Sequence, residues 1–132
     1  TVEDFIHRFE RRKNTSIKAA LLDQTVVAGV GNIYADESLW GAKIDPRRRV
    51  KDITNDEFKS LYNEVRYVMD LSIKKGGSTD RNYVDAEGNK GSYLEFARVF
   101  RREGQACKRC GHIIEKIKHA GRGTHICPGC MH

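Results

Sequence analysis

No apolar run in this sequence approaches the roughly 18 residues of a membrane-spanning helix, so no membrane partner is expected. There is no internal repeat and no low-complexity tract, which argues against a repeat array or a compositionally disordered chain. No secretory signal opens the chain: Thr1-Val2-Glu3-Asp4-Phe5 reads as the start of an amphipathic helix. No methionine opens it either, and a first residue suited to a helix cap reads as a cut within something longer. Cysteine is absent before position 107 and nothing signals export, so reduced thiols in a cytosolic setting are expected. Acid is scarce at one end. Residues 98–132 carry eight Lys and Arg against only Glu103 and Glu115, whereas the first 97 residues carry 16 of each sign. The whole formal charge of +6 therefore lies in the C-terminal part. A basic tail on a neutral body points to a polyanion partner; scattered cations would have been enough for solubility.

What is present fills one medium domain or two small ones. Residues 16–41 read as helix, glycine turn, helix. Ile17, Ala20, Leu21 and Gln24 recur at i, i+3, i+4 and i+7, the stripe of an amphipathic helix. Gly29 and Gly31 bracket Val30, and a positive φ is expected at one or both. Asn32 stands where an N-cap belongs. Ile33, Asp36, Glu37 and Trp40 follow on the second helix, its early acids favourable to the dipole, and Gly41 ends it. Such a turn aims helix N–H groups outward and binds anions. The same pattern also reads as a helical hairpin whose glycines only make the bend.

On either side, Thr1 is a cap candidate, and Phe5, Ile6 and Phe9 give an apolar face up to about Arg12. Arg11-Arg12-Lys13 and Arg47-Arg48-Arg49 are basic clusters. Thr54 and Glu57 are spaced as a capping box. A long helix follows to about Lys75 with Phe58, Leu61, Tyr62, Val65, Val68, Met69 and Leu71 or Ser72 inward, stopped by Gly76-Gly77. Residues 76–92, rich in Gly, Ser, Asp and Asn, read as a loop, and a loop of this length is either functional or disordered.

The four cysteines stand as Cys107-x-x-Cys110 and Cys127-x-x-Cys130 with sixteen residues between the pairs. Two such pairs are a strong zinc signature, and four thiolates close a tetrahedron without water, so one structural Zn²⁺ is predicted. Two disulfides are the less favoured reading. Ile113, Glu115 and Ile117 alternate with Ile114, Lys116 and Lys118 as in a strand, and Gly121-Arg122-Gly123 is predicted as the turn of the hairpin. About thirty residues cannot bury enough surface to fold alone, so zinc supplies the missing stability. His112, His119, His125 and His132 are not needed as ligands and are expected at the surface or on nucleic acid.

Taken in order, these motifs resemble one family, the bacterial formamidopyrimidine-DNA glycosylases with the related endonuclease-eight-type enzymes. The residues carrying the resemblance are Ile17-Lys18, Leu21-Leu22-Asp23-Gln24, Gly29 through Leu39, Gly76-Gly77-Ser78-Thr79, Gly88 to Gly91, Gly121 through Thr124, and Cys127-Pro128-Gly129-Cys130. The resemblance implies a mainly α fold with a small β zinc ribbon. A helix-two-turns-helix domain would span 1–100 and a zinc finger 101–132, with separate cores. It implies double-stranded DNA with oxidised or abasic lesions as partner, excision of 8-oxoguanine and formamidopyrimidines, strand cleavage at the abasic site, a monomer, and a cytoplasmic, nucleoid-associated location. It implies a phosphate contact at Asn32 beside Gly31, with Lys18 and Lys13 near the same backbone. Arg122 at the ribbon tip matches a phosphate contact that is also the proton donor of δ-elimination. Residues 76–92, with Ser78, Thr79, Arg81 and Tyr83, match a loop that closes over the extruded base. Two positions depart from the family pattern: Phe100 where Tyr is common, and Arg81 where some members have Lys. The family's nucleophile is an N-terminal proline amine, with a partner glutamate, in a domain this sequence does not contain. The expectation is therefore the DNA-gripping part, inactive alone, joined to that catalytic domain or acting as a stand-alone DNA-binding module.

Overall fold

The computed structural model describes residues 1–23, 31–74 and 96–132. Among the described residues four helices come first: α1 (Val2–Arg8), α2 (Ile17–Leu22), α3 (Asn32–Ala42) and α4 (Asn55–Lys74), with short 3₁₀ turns at Glu10–Arg12 and Val50–Asp52. A two-stranded antiparallel hairpin, β1 (Glu115–His119) and β2 (Arg122–Ile126), closes the chain. Gln24, Gly29, Val30, Gly76, Gly77 and the expected 76–92 loop, with Ser78, Thr79, Arg81 and Tyr83, lie outside the described residues.

Local chemistry accounts for the helix starts. The Thr1 hydroxyl accepts from Asp4 N at 3.2 Å, and the Ser16 hydroxyl from Ala19 N at 3.2 Å. Thr54 and Glu57 form the reciprocal box: Glu57 N donates to Thr54 Oγ1 at 3.1 Å and Thr54 N to Glu57 Oε1 at 3.0 Å. Phe58, Leu61, Val65, Val68 and Ser72 are the buried stripe of α4, so Ser72 is inward and Leu71 only half-buried. Phe5 and Phe9 of the first turns meet at 5.0 Å between ring centroids, and Phe9 meets Phe58 at 5.2 Å, which fixes α1 on α4.

Three expectations are corrected. The cap of α3 is Gly31, and Asn32 is the first helical residue; Gly31 has an extended φ of −92°, so its conformation does not demand glycine. The helix ends one turn-position later than expected, at Ala42, with Lys43 left-handed at φ 63°. Gly41 lies inside the helix, where a Cβ would overlap the Glu64 carboxylate. In the hairpin, Arg122 and Gly123 belong to β2. The turn is Ala120-Gly121, with φ 55° and 73°, the two positive values of a two-residue hairpin loop.

The separate cores are also corrected. One buried cluster runs from Phe5, Phe9 and Phe58 through Leu39, Trp40 and Ile44 into Cys107, Ile114, Ile126, Cys127, Cys130 and Met131 of the ribbon. The chain end is stitched to the helices by backbone hydrogen bonds, Asp45 N to His132 O at 2.9 Å and His132 N to Lys43 O at 3.0 Å. A ribbon too small for its own core uses the flank of α3 as the other half.

Candidate nucleic-acid interface and metal centre

The ribbon tip lands on the N-terminal end of α3. The Gly123 carbonyl accepts from Asn32 Nδ2 at 3.1 Å and from Lys18 Nζ at 3.1 Å. Three residues singled out from the sequence, Lys18, Asn32 and Arg122, thus converge across a separation of about a hundred positions. Arg122 is exposed on the closing pair of the hairpin, opposite His119. Gly31 is exposed as well, with nothing within 4 Å of where its Cβ would stand. A phosphate can therefore approach the backbone closely at the start of α3, where helix N–H groups lack intrahelical partners.

Lys18 is placed differently from a simple surface cation. Its side chain is fully buried, with Nζ 2.7 Å from Asp36 Oδ1 and 2.8 Å from Thr124 Oγ1. Burial pushes its pKa down; Asp36 opposes this, and the nearby Arg122 guanidinium adds to it. Its charge sits directly beneath the ribbon tip. Lys13 is exposed and lies along a neighbouring edge, where residues 13–18 run antiparallel to 46–51: Lys51 N donates to Lys13 O at 3.0 Å, and Ser16 bridges Arg49. His119 Nε2 shares a hydrogen with Ser16 Oγ at 2.8 Å, and burial, with Lys18 and Arg47 nearby, lowers its pKa.

Asp36 and Glu37 do more than favour a dipole. Neither is in the first turn of α3, and both are fully buried. Asp36 Oδ2 accepts from His125 N at 3.0 Å and lies 3.0 Å from His125 Nδ1. Glu37 accepts the backbone N–H groups of Arg98, Val99 and Phe100 at 2.9, 2.8 and 3.0 Å. Two adjacent carboxylates thus staple the last third of the chain to the helices. His125 is buried rather than on the surface, its ring against Phe100 at 4.6 Å. Sequence reasoning missed this pair because helical spacing gives the face of a residue and says nothing of a partner ninety positions away.

The four sulfurs of Cys107, Cys110, Cys127 and Cys130 lie within 4.8 Å of one another, and all four cysteines are free. Zn–S bonds of about 2.3 Å at tetrahedral angles set sulfurs about 3.8 Å apart, and Cys107 and Cys130 are separated by 3.8 Å. Burial raises the Cys107 pKa, but the N–H groups of Cys110, Arg109 and Trp40 outweigh it and lower it to about 6. At Cys127, burial and the Cys110 thiol push it up to about 12. A cation among them removes that imbalance by drawing all four to thiolate. With only sulfur donors and no open position, the set holds one structural zinc.

The family model of the formamidopyrimidine-DNA glycosylase H2TH domain matches residues 1–83, and that of a zinc finger found in FPG and IleRS matches residues 104–132. The chain belongs to the formamidopyrimidine-DNA glycosylase family. Among its relatives, the formamidopyrimidine-DNA glycosylase of Streptococcus pneumoniae R6 is 49% identical over 115 residues, covering 87% of this chain and 42% of its own length. That of Exiguobacterium sp. AT1b is 44% identical over 131 residues, covering 99% and 48%. Among solved structures, MutM (Fpg) of Thermus thermophilus is 39% identical with a TM-score of 0.90, covering 99% of this chain and 50% of that one. The Lactococcus lactis Fpg, in complex with DNA containing an abasic site, is 38% identical with a TM-score of 0.88, covering 100% and 47%. The chain spans about half the length of these glycosylases.

Proposed function

We propose that this chain is the DNA-gripping part of a base-excision-repair glycosylase and abasic-site lyase acting on oxidised purines such as 8-oxoguanine and formamidopyrimidine. The observation that carries the reading is the convergence of Lys18, Asn32 and Arg122 around the Gly123 carbonyl at the open start of α3. Phosphate contacts position a protein on a duplex without reading its sequence, and this arrangement offers the needed parts. Asn32 and the backbone beside Gly31 donate hydrogen bonds, Arg122 brings an exposed bidentate cation, and Lys18, its charge balanced by Asp36, holds the Gly123 carbonyl in place from beneath. Lys13 extends the cationic edge along the strand. The abasic-site DNA bound by the Lactococcus lactis relative supports a damaged duplex as the partner.

In this reading residues 1–100 form the helix-two-turns-helix part and 101–132 the zinc finger. Ser78, Thr79, Arg81 and Tyr83 belong to the loop that meets an extruded base. Zinc supplies a crosslink that holds the ribbon closed. Arg122, exposed at the ribbon tip, hands over the proton in δ-elimination. The protein works as a monomer in the cytoplasm, associated with the nucleoid. The Schiff-base nucleophile, an N-terminal proline amine, has no counterpart among these 132 residues, so the chain by itself binds without excising. A stand-alone DNA-binding module would share the grip and differ only in never joining a catalytic domain.

Binding and excision are measured on two duplexes, one with intact 8-oxoguanine and one with an abasic analogue, with and without an added N-terminal glycosylase domain. The chain alone should bind the abasic duplex and release no base, and the added domain should restore excision. Borohydride trapping of the chain alone on intact 8-oxoguanine at enzyme-like rates would overturn the division of labour. Failure to bind either duplex would overturn the DNA reading.

A further inference from the structure

At the end of α3 opposite Asn32 stands Trp40, the sole tryptophan of the chain. Its indole is buried, and Nε1 donates to Cys107 Sγ at 3.3 Å. Arg109 lies over the same ring, its Cζ 3.9 Å from the centroid, and its Nη2 donates to the Trp40 carbonyl at 2.7 Å. From that position Arg109 Nε and Nη2 reach Cys130 Sγ at 3.3 and 3.0 Å. Arg98 stands 4.8 Å from the Trp40 ring and is held by Glu37 and Glu64. One donor thus comes from the helical body and one from the ribbon, and each meets a sulfur of a different Cys-x-x-Cys pair.

Four thiolates around one Zn²⁺ carry two net negative charges, which a buried site holds best when donors face the sulfurs. A tryptophan that only filled the core would need another partner for its N–H or leave it unpaired. We infer that Trp40 and Arg109 act as one positioning unit that sets how tightly the four cysteines retain zinc, with α3 supplying from outside the ribbon a hydrogen bond to the metal cage. The unit is independent of what the chain binds. It gives a reason for tryptophan at the end of this helix, where leucine or phenylalanine would fill the same space without meeting sulfur.

The test uses the zinc-loaded chain challenged with a competing chelator. Trp40→Phe keeps a ring in the core and removes only the N–H donor. Zinc retention should weaken about ten- to a hundredfold, the range for losing a hydrogen-bond partner of a metal ligand. In the Co²⁺-substituted chain the sulfur-to-metal charge-transfer band should move to longer wavelength, because a sulfur that loses a hydrogen bond gives up electron density more readily. Should Trp40→Phe fail to fold in saturating zinc, Arg109→Gln decides on the same two readouts. Retention within twofold of the unaltered chain overturns the inference. So does weaker retention with an unmoved band, which would make the ring a packing element only.

Discussion

At the scale of single residues, Asp36 carries the most. One carboxylate, with no exposure of its own, neutralises Lys18 and holds both the backbone and the ring of His125. Taking charges out of water is expensive, and removing one partner of a buried pair leaves the other uncompensated, at about 3–5 kcal/mol. Asp36→Asn should therefore lower unfolding stability by about that amount in saturating zinc, read from the urea midpoint, because the Lys18 ammonium loses its counter-charge and is left, among the described residues, with neutral acceptors such as Gly123 O and Thr124 Oγ1. This is a large share of the roughly 5–15 kcal/mol that holds a small domain together. A loss under about 1 kcal/mol would show that water reaches Lys18 and that the site is not closed as described. The pair is illegible in sequence: Asp36 and Lys18 look like two ordinary charges on two helices, and only the fold brings His125 between them and Phe100.

At the scale of elements, the start of α4 is held by both a cap and an ion pair. Glu57 completes the box with Thr54 and accepts from Arg48 Nη2 at 3.0 Å. The Arg48 hydrogen bond, against a smaller effect of burial, holds the Glu57 carboxyl below its ordinary value of 4.5. A carboxyl lowered in the folded state contributes stability that is complete above the unfolded pKa and is lost as pH falls through the folded one. The thermal midpoint should accordingly drop from pH 5 to pH 3, and Glu57→Gln should remove part of that drop while costing on the order of 1 kcal/mol at neutral pH. An identical acid profile in the variant would mean other carboxylates set it. Elements with local chemistry were legible here: the Thr54 box, the α4 stripe and the paired cysteines follow from spacing alone. The start of α3 was less so, since glycine and asparagine both cap helices and the chain used Gly31. The hairpin turn was misplaced because Gly121-Arg122-Gly123 offers two glycines, while the register puts Ala120 at a left-handed position that its sequence does not announce.

At the scale of the whole molecule, one continuous core joins helices to ribbon, so zinc stabilises more than thirty residues. Structural zinc contributes about 10–16 kcal/mol in small finger peptides, which equals or exceeds the stability of a domain this size. Chelation should therefore lower the melting temperature of the helical signal together with that of the ribbon, and Cys127→Ser should do the same. Helices that melt at an unchanged temperature would mean that α3 does not need the ribbon against it. The grip on DNA phosphates proposed for the ribbon tip and the start of α3 is measured by the salt dependence of binding to an abasic-site duplex, for the unaltered chain, Asn32→Ala and Arg122→Ala. With about three to five phosphates neutralised, the log–log slope should be about −3 to −5. Arg122→Ala should weaken binding and make the slope shallower by about 1, while Asn32→Ala should weaken binding at an unchanged slope because it removes no charge. A flat salt response in the unaltered chain, or slopes and affinities that neither substitution moves, would rule out a grip on the backbone at these residues.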